Sequence, residues 1–214
     1  QNPNGMLAIV PHLGTWEIMN AWLNQFGAPT IMYKPVKGEQ ANQFVLQGRQ
    51  RLNATLVPTD ATGVKAIFKT LKAGGFSIIL PDHVPDPSGG EVVPFFGIPT
   101  VTSTLASKLA SKTKCSLVGL TCVRRDDGQG FDIYCDELTD PALYDKNMLT
   151  ATTAMNHAIE RMIDRFPSQY MWGYKRFKRV PGFPVIYNAE PSIAVAVRQR
   201  YPKLSNHDII NSLT

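Results

Sequence analysis

The sequence predicts an α/β fold: a mainly parallel open sheet flanked by helices, with an antiparallel hairpin at one edge. Three observations predict it. Short apolar runs alternate with segments of helical period along most of the chain. Two of the runs, residues 6–10 and 76–80, are nearly continuous in apolar residues, as strands buried on both faces are. Late in the chain, Asp126-Asp127-Gly128-Gln129-Gly130 separates two strand-like runs and reads as a hairpin turn.

The elements follow in order. Residues 6–10 form the first strand. A helix over 15–26 carries Trp16, Met19, Leu23 and Phe26 at helical spacing and stops at Gly27. Residues 30–33 make a second strand, ended by Pro35, and 40–52 a polar helix with Phe44 and Val45 on one side. A third strand spans 55–57. Asp60 or Thr62 caps a helix over 64–73, which Gly74-Gly75 ends. After the strand at 76–80, residues 82–100 read as a long Pro- and Gly-rich loop, a candidate functional segment. A helix over 103–111, a strand over 116–123, the hairpin strand over 131–135 and a helix over 150–166 complete the pattern. The last helix shows Ala151, Ala154, Met155, Ala158, Ile159 and Met162 along one face. Residues 1–180 are read as one domain. Residues 181–214, Pro-rich with a weak helical pattern near 193–200, are read as an appendage.

Composition sets outer limits. The chain has 214 residues with 43% hydrophobic and 18% charged, which excludes a disordered polymer. Three cysteines without a C-x-x-C pair, all in apolar text, are expected as buried reduced thiols, and no His or Cys pair has zinc-ligand spacing. No run approaches the roughly 18 apolar residues of a membrane span, and no signal peptide is visible. The chain begins at Gln1 and reaches a strand at Met6, which reads as a piece of a longer protein.

Four constellations carry chemistry. His12-Leu13-Gly14-Thr15-Trp16-Glu17 follows a buried strand and opens a helix, the position where open α/β sheets bind ligands. A His with a nearby carboxylate can act as a base with its orienting partner, or simply as a surface His beside a helix-cap acid. With four His and 17 acidic residues, chance supplies this spacing in about one such chain in three, so context must decide. Arg49 and Arg51 offer a phosphate or carboxylate clamp, or a solvated helix end. Asp82-His83 lies just past a strand end, and Phe95, Phe96 and Ile98 either line an apolar channel or cover the core. In Lys175-Arg176-Phe177-Lys178-Arg179, four cations surround an aromatic. That run suits an acidic carrier protein or an anionic lipid surface, or is simply a solvated basic end. The net charge of +5 is too small to favour nucleic acid.

Taken in order, these segments resemble the bacterial lipid A biosynthesis acyltransferases, the lauroyl/myristoyl transferase group of the lysophospholipid acyltransferase superfamily. The matching text is His12-Leu13-Gly14-Thr15-Trp16-Glu17, Tyr33-Lys34-Pro35, Gly48-Arg49, Pro81-Asp82, Val93-Pro94-Phe95-Phe96-Gly97 with Thr102, and Gln169-Tyr170-Met171-Trp172 with Arg176-Phe177-Lys178. The resemblance implies a glycerolipid acyltransferase-like fold. It also implies acyl transfer from an acyl carrier protein thioester, or acyl-CoA, to a hydroxyl of a lipid A precursor or related glycolipid. By that resemblance His12 is the general base and Glu17 its partner, both catalytic. Arg49 and Asp82 bind substrate, Phe95 and Phe96 border the acyl channel, and Arg176 belongs to the substrate-facing basic run. No cofactor or metal is implied. The setting implied is the cytoplasmic face of the bacterial inner membrane, with the anchor outside this chain. The family usually has Gln where this chain has His83. Other readings are an acyltransferase acting on a phosphatidylinositol mannoside and a catalytically idle homologue that binds lipid or carrier. A serine esterase is disfavoured, because no G-x-S-x-G is present.

Overall fold

Along the chain run β1 (Met6–Ile9), α1 (Glu17–Leu23), β2 (Thr30–Tyr33), β3 (Thr55–Pro58), α2 (Ala61–Lys72) and β4 (Phe76–Ile79). They are followed by β5 (Gly90–Phe95), β6 (Ile98–Ser103), α3 (Leu105–Thr113), β7 (Ser116–Arg124), β8 (Phe131–Glu137), α4 (Met148–Arg165) and α5 (Pro191–Arg200). The computed structural model describes residues 3–34, 38–40, 43, 53–184, 187 and 190–200. The expected helix at 40–52 and Arg49 therefore fall largely outside the described residues.

The chain divides into two compact units, Gln1–Leu80 with Leu109–Thr139, and Pro81–Lys108 with Asp140–Thr214. The first holds a six-stranded sheet in the order β3-β2-β4-β1-β7-β8. All its ladders are parallel except β7–β8, so the antiparallel hairpin sits at an edge as the sequence predicts. The central strands explain their own sequence. Leu7, Ala8, Ile9 and Val10 are all buried, because a parallel strand with helices on both faces hides both of its side-chain rows. On one face Ala8, Val10, Ile78, Leu120 and Cys122 pack with Met19 and Leu23 of α1. Asp60 starts α2 by accepting from the backbone N–H groups of Thr62 and Gly63, and Ile67 and Leu71 of that helix are fully buried. Cys115 and Cys122 are buried, as expected of thiols in strand text, but Cys135 is exposed. It lies on edge strand β8, none of whose residues is fully buried, and this corrects its assignment to the core.

The second unit corrects the long-loop expectation. Residues 90–103 form a two-stranded antiparallel ribbon, β5 against β6, rather than an open loop. Phe96 and Gly97 make the two-residue turn with φ of 48° and 79°, the double left-handed geometry that suits the twist of a hairpin. Helix α4 starts at Asn147, whose side chain accepts from the Leu149 N–H, and buries the whole stripe read from its sequence. The described part of residues 181–214 belongs to this unit, where the Tyr187 hydroxyl accepts from the Phe177 N–H at 2.9 Å. Among the described residues no helix is long and apolar enough to cross a membrane.

Candidate active site

In the first unit His12 lies three residues beyond the end of β1 and Glu17 opens α1. The turn between them is fixed by β7. Thr15 N–H donates to the Cys122 carbonyl at 2.8 Å, and Gly14 bridges the same residue. Gly14 has φ of 61°, and a Cβ there would collide with the Cys122 oxygen, so only glycine fits this stitch. A tight Leu13 N–H to Pro11 carbonyl bond of 2.7 Å turns the chain before it.

His12 is 9% exposed, and its ring meets the Trp16 ring edge-on at 5.0 Å between centroids. Glu17 is exposed in the first turn of α1, where a negative charge complements the helix dipole. Both border one cavity of about 170 Å³. Trp16 and Asn20 also line it, and its apolar bed is made by Val10 and Leu80, just past the ends of β1 and β4, with Ile31 and Ile78 from within β2 and β4. A basic ring, a carboxylate and an apolar bed in one cleft can take a proton from a hydroxyl on an otherwise greasy substrate.

The second unit presents a different arrangement. Asp82 is buried and accepts from the Tyr170 hydroxyl at 3.1 Å. Burial first, and the Asp82 charge second, hold the Tyr170 phenol well above its ordinary pKa, so it stays a donor. Arg176 is 2% exposed and donates through Nη1 to the Val101 carbonyl and through Nη2 to Thr102 Oγ1, at 2.9 and 2.7 Å. Burial pulls its guanidinium pKa below the ordinary value, opposed by Tyr170 and Asp82. Asn156 on α4 donates to the Pro94 carbonyl and to Thr102, which ties α4 to the β5–β6 ribbon. Among the described residues, Asn156 Oδ1 and Arg176 Nε find no partner.

Phe95 and Phe96 are buried in an aromatic cluster with Tyr170, Trp172 and Phe177, and the Arg176 guanidinium lies 4.9 Å over the Phe95 ring. The Phe96 N–H donates to the Glu160 carboxylate at 2.7 Å, and burial raises the Glu160 pKa. His83 stacks flat on Tyr174 at 3.7 Å, and the Tyr174 hydroxyl accepts from the Val84 N–H. Of the four cations in the basic run, Lys175 and Arg179 are exposed and Lys178 half-buried, while Arg176 has turned inward. Arg176 is thus a core residue rather than part of the surface run. Burying a cation needs hydrogen-bond acceptors around it, and the ribbon supplies them.

Sequence reasoning missed Gly14, Asn20, Asn156 and Glu160. Gly14 carried a signal, a glycine inside a strand-to-helix turn, and Asn156 another, an amide in an otherwise apolar stripe. Among the described residues no group of three or more His, Cys, Asp or Glu could hold a metal ion.

The family model described as bacterial lipid A biosynthesis acyltransferase matches residues 1–179. The chain is similar to the lipid A biosynthesis lauroyltransferase of Escherichia coli (strain K12), 31% identical over 189 residues, covering 86% of this chain and 60% of that protein. It is also similar to the lipid A biosynthesis palmitoleoyltransferase of the same organism, 25% identical over 178 residues and covering 83% of the chain and 57% of the relative. A phosphatidylinositol mannoside acyltransferase of Mycobacterium tuberculosis (strain ATCC 25618 / H37Rv) is 26% identical over 134 residues, 61% of the chain and 42% of that protein. The chain thus spans about three fifths of the length of the first two relatives. With the match running through the His12–Glu17 turn, the β5–β6 ribbon and the Tyr170–Arg179 segment, the chain belongs to the bacterial lipid A biosynthesis acyltransferase family.

Proposed function

We propose that this chain carries the catalytic region of an O-acyltransferase that moves a fatty acyl group from an acyl carrier protein thioester to a hydroxyl of a lipid A precursor. The observation that carries the reading is the cavity that His12 and Glu17 share where the chain leaves the carboxyl end of β1 for α1. His12 takes the proton of the acceptor hydroxyl, and the Glu17 carboxylate compensates the imidazolium. The hydroxyl oxygen attacks the thioester carbonyl and forms the C–O bond. The tetrahedral intermediate collapses, the C–S bond breaks, and the proton held on His12 goes to the departing thiolate.

No covalent acyl-enzyme is needed. The buried thiols support this, since burial raises the pKa of Cys115 and of Cys122 away from thiolate chemistry. Phe95 and Phe96 border the path of the acyl chain in this reading, with Asp82 and Arg176 serving the substrate by bracing that aromatic wall. Arg49 holds a phosphate of the acceptor. Lys175, Lys178 and Arg179 face an acidic carrier or the anionic membrane surface at which the enzyme works.

The test is thioester turnover by the full-length protein, wild type and His12→Ala, with a lipid A precursor as acceptor. A loss of roughly 10²–10⁴-fold is expected from removing a general base. Equal rates would sink the mechanism, and no turnover by wild type would favour an idle lipid- or carrier-binding homologue. A second acceptor, a phosphatidylinositol mannoside, belongs in the same assay because of the similarity to the mycobacterial transferase.

A further inference from the structure

Asn20 borders the cavity, and the mechanism gives it no role. It lies three residues after Glu17 and four after Trp16 on α1, so all three share one helix face, and all three border the cavity with His12. Its neighbours on the helix, Ile18, Met19, Trp22 and Leu23, are apolar and pack into the core cluster. An amide in that company needs a reason. Its Oδ1 atom is buried and has no hydrogen-bond partner among the described residues. The floor beneath it, Val10, Ile31, Ile78 and Leu80, offers side chains with no donor at all. A buried carbonyl oxygen without a donor is costly, and native proteins keep one where something else supplies the donor.

We infer that Asn20 binds substrate, its Oδ1 accepting a hydrogen bond from a hydroxyl or amide N–H of the glycolipid acceptor next to the hydroxyl that reacts. The inference rests on the proposed reaction, in which His12 takes the acceptor's proton and the acceptor's neighbouring groups therefore lie along this rim. The acyl donor's phosphopantetheine arm also carries amide N–H groups, so the test must tell the two substrates apart. A site that accepts a hydrogen bond from a substrate rejects analogues lacking that donor, so Asn20 would set acceptor specificity rather than reaction rate.

The experiment uses the full-length protein, its Asn20→Leu variant, which keeps the shape and removes the acceptor atom, and its Asn20→Ala variant. The acceptors are a synthetic glucosamine-based glycolipid and analogues in which each hydroxyl near the reacting one is replaced by hydrogen, or a neighbouring amide is N-methylated. We expect the acceptor KM to rise about 10-fold in Asn20→Leu, the size of one neutral hydrogen bond. The thioester KM should stay put, and kcat should fall less than KM rises. One analogue should lose the same factor with wild type and nothing further with the variant. An unchanged acceptor KM, or equal losses for every analogue with both proteins, overturns the inference. A rise in thioester KM alone gives the contact to the donor and overturns it too. If neither variant folds, the analogue series on wild type still decides, since no analogue weaker than the parent also overturns it. Equilibrium binding of the acceptor without thioester, on a His12→Ala background, separates this result from the fate of the proposed reaction. The Asn20→Leu penalty persists there even if His12→Ala turns over at full rate.

Discussion

The two units use polar residues in opposite ways. In the first, His12, Glu17 and Asn20 stand at the rim of a cavity on an apolar floor, with Glu17 exposed. In the second, Asp82, Tyr170, Arg176 and Asn156 are buried and engage one another or the backbone of the β5–β6 ribbon. The same residue classes thus line a cavity in one place and tie secondary structure together in the other. What separates them is where their polar groups stand, along the lining of a cleft or packed within the unit.

Substitutions should break along that line. His12→Ala should lose the most activity, by the factor given above, while its unfolding midpoint stays close to wild type. Arg176→Met should do the reverse. It strands the Val101 carbonyl and removes the cation near Asp82, so a denaturant titration should show about 3 kcal/mol less stability. If Arg176→Met instead folds normally and loses only substrate binding, the guanidinium is a substrate ligand and the contrast between the units fails. Gly14→Ala is the intermediate case. With φ of 61° and the Cys122 carbonyl in the way, it should cost about 2 kcal/mol and also lower turnover, because the stitched turn carries both His12 and Glu17.

The smallest effect concerns pH. Burial first pushes the Tyr187 phenol up to about 12, and its hydrogen bond from the Phe177 N–H pulls the other way. The folded form keeps that proton after the unfolded chain has lost its own. Stability conferred this way is therefore complete below the unfolded value of about 10 and declines as pH rises towards about 12. Alkaline titration of the unfolding free energy should show this slope, and Tyr187→Phe should flatten it. A slope unchanged in Tyr187→Phe would remove the assignment.

The parallel sheet was legible because its strands are local and loud. Residues 6–9 and 76–79 are short, mainly apolar runs, and α2 announces itself by period and by its Asp60 cap. The β5–β6 ribbon was not. Pro94 and Pro99 stand opposite each other in its ladder, and prolines in a run argue against a strand. The His12–Glu17 pair was visible as a spacing, but the cavity that gives it meaning is built from β1, β2, β4 and α1. Arg176 was illegible for a related reason. It sits among three cations that stay nearer the surface, and its acceptors at Val101 and Thr102 lie some 75 residues upstream. Asn20 carried no local signal at all, since its significance depends on which helix face meets the cleft.

The stitch of Gly14 and Thr15 to Cys122 also sets an order in time. The turn that presents His12 and Glu17 comes more than 90 residues before the strand that holds it, Ser116–Arg124. A ribosome making this protein delivers His12 and Glu17 about 100 residues before the strand that supports their turn, several seconds at ordinary synthesis rates. A nascent chain that has emerged only through β4 holds both side chains and lacks the carbonyl that fixes their turn. The turn is therefore fixed only after the sheet has grown past its own middle.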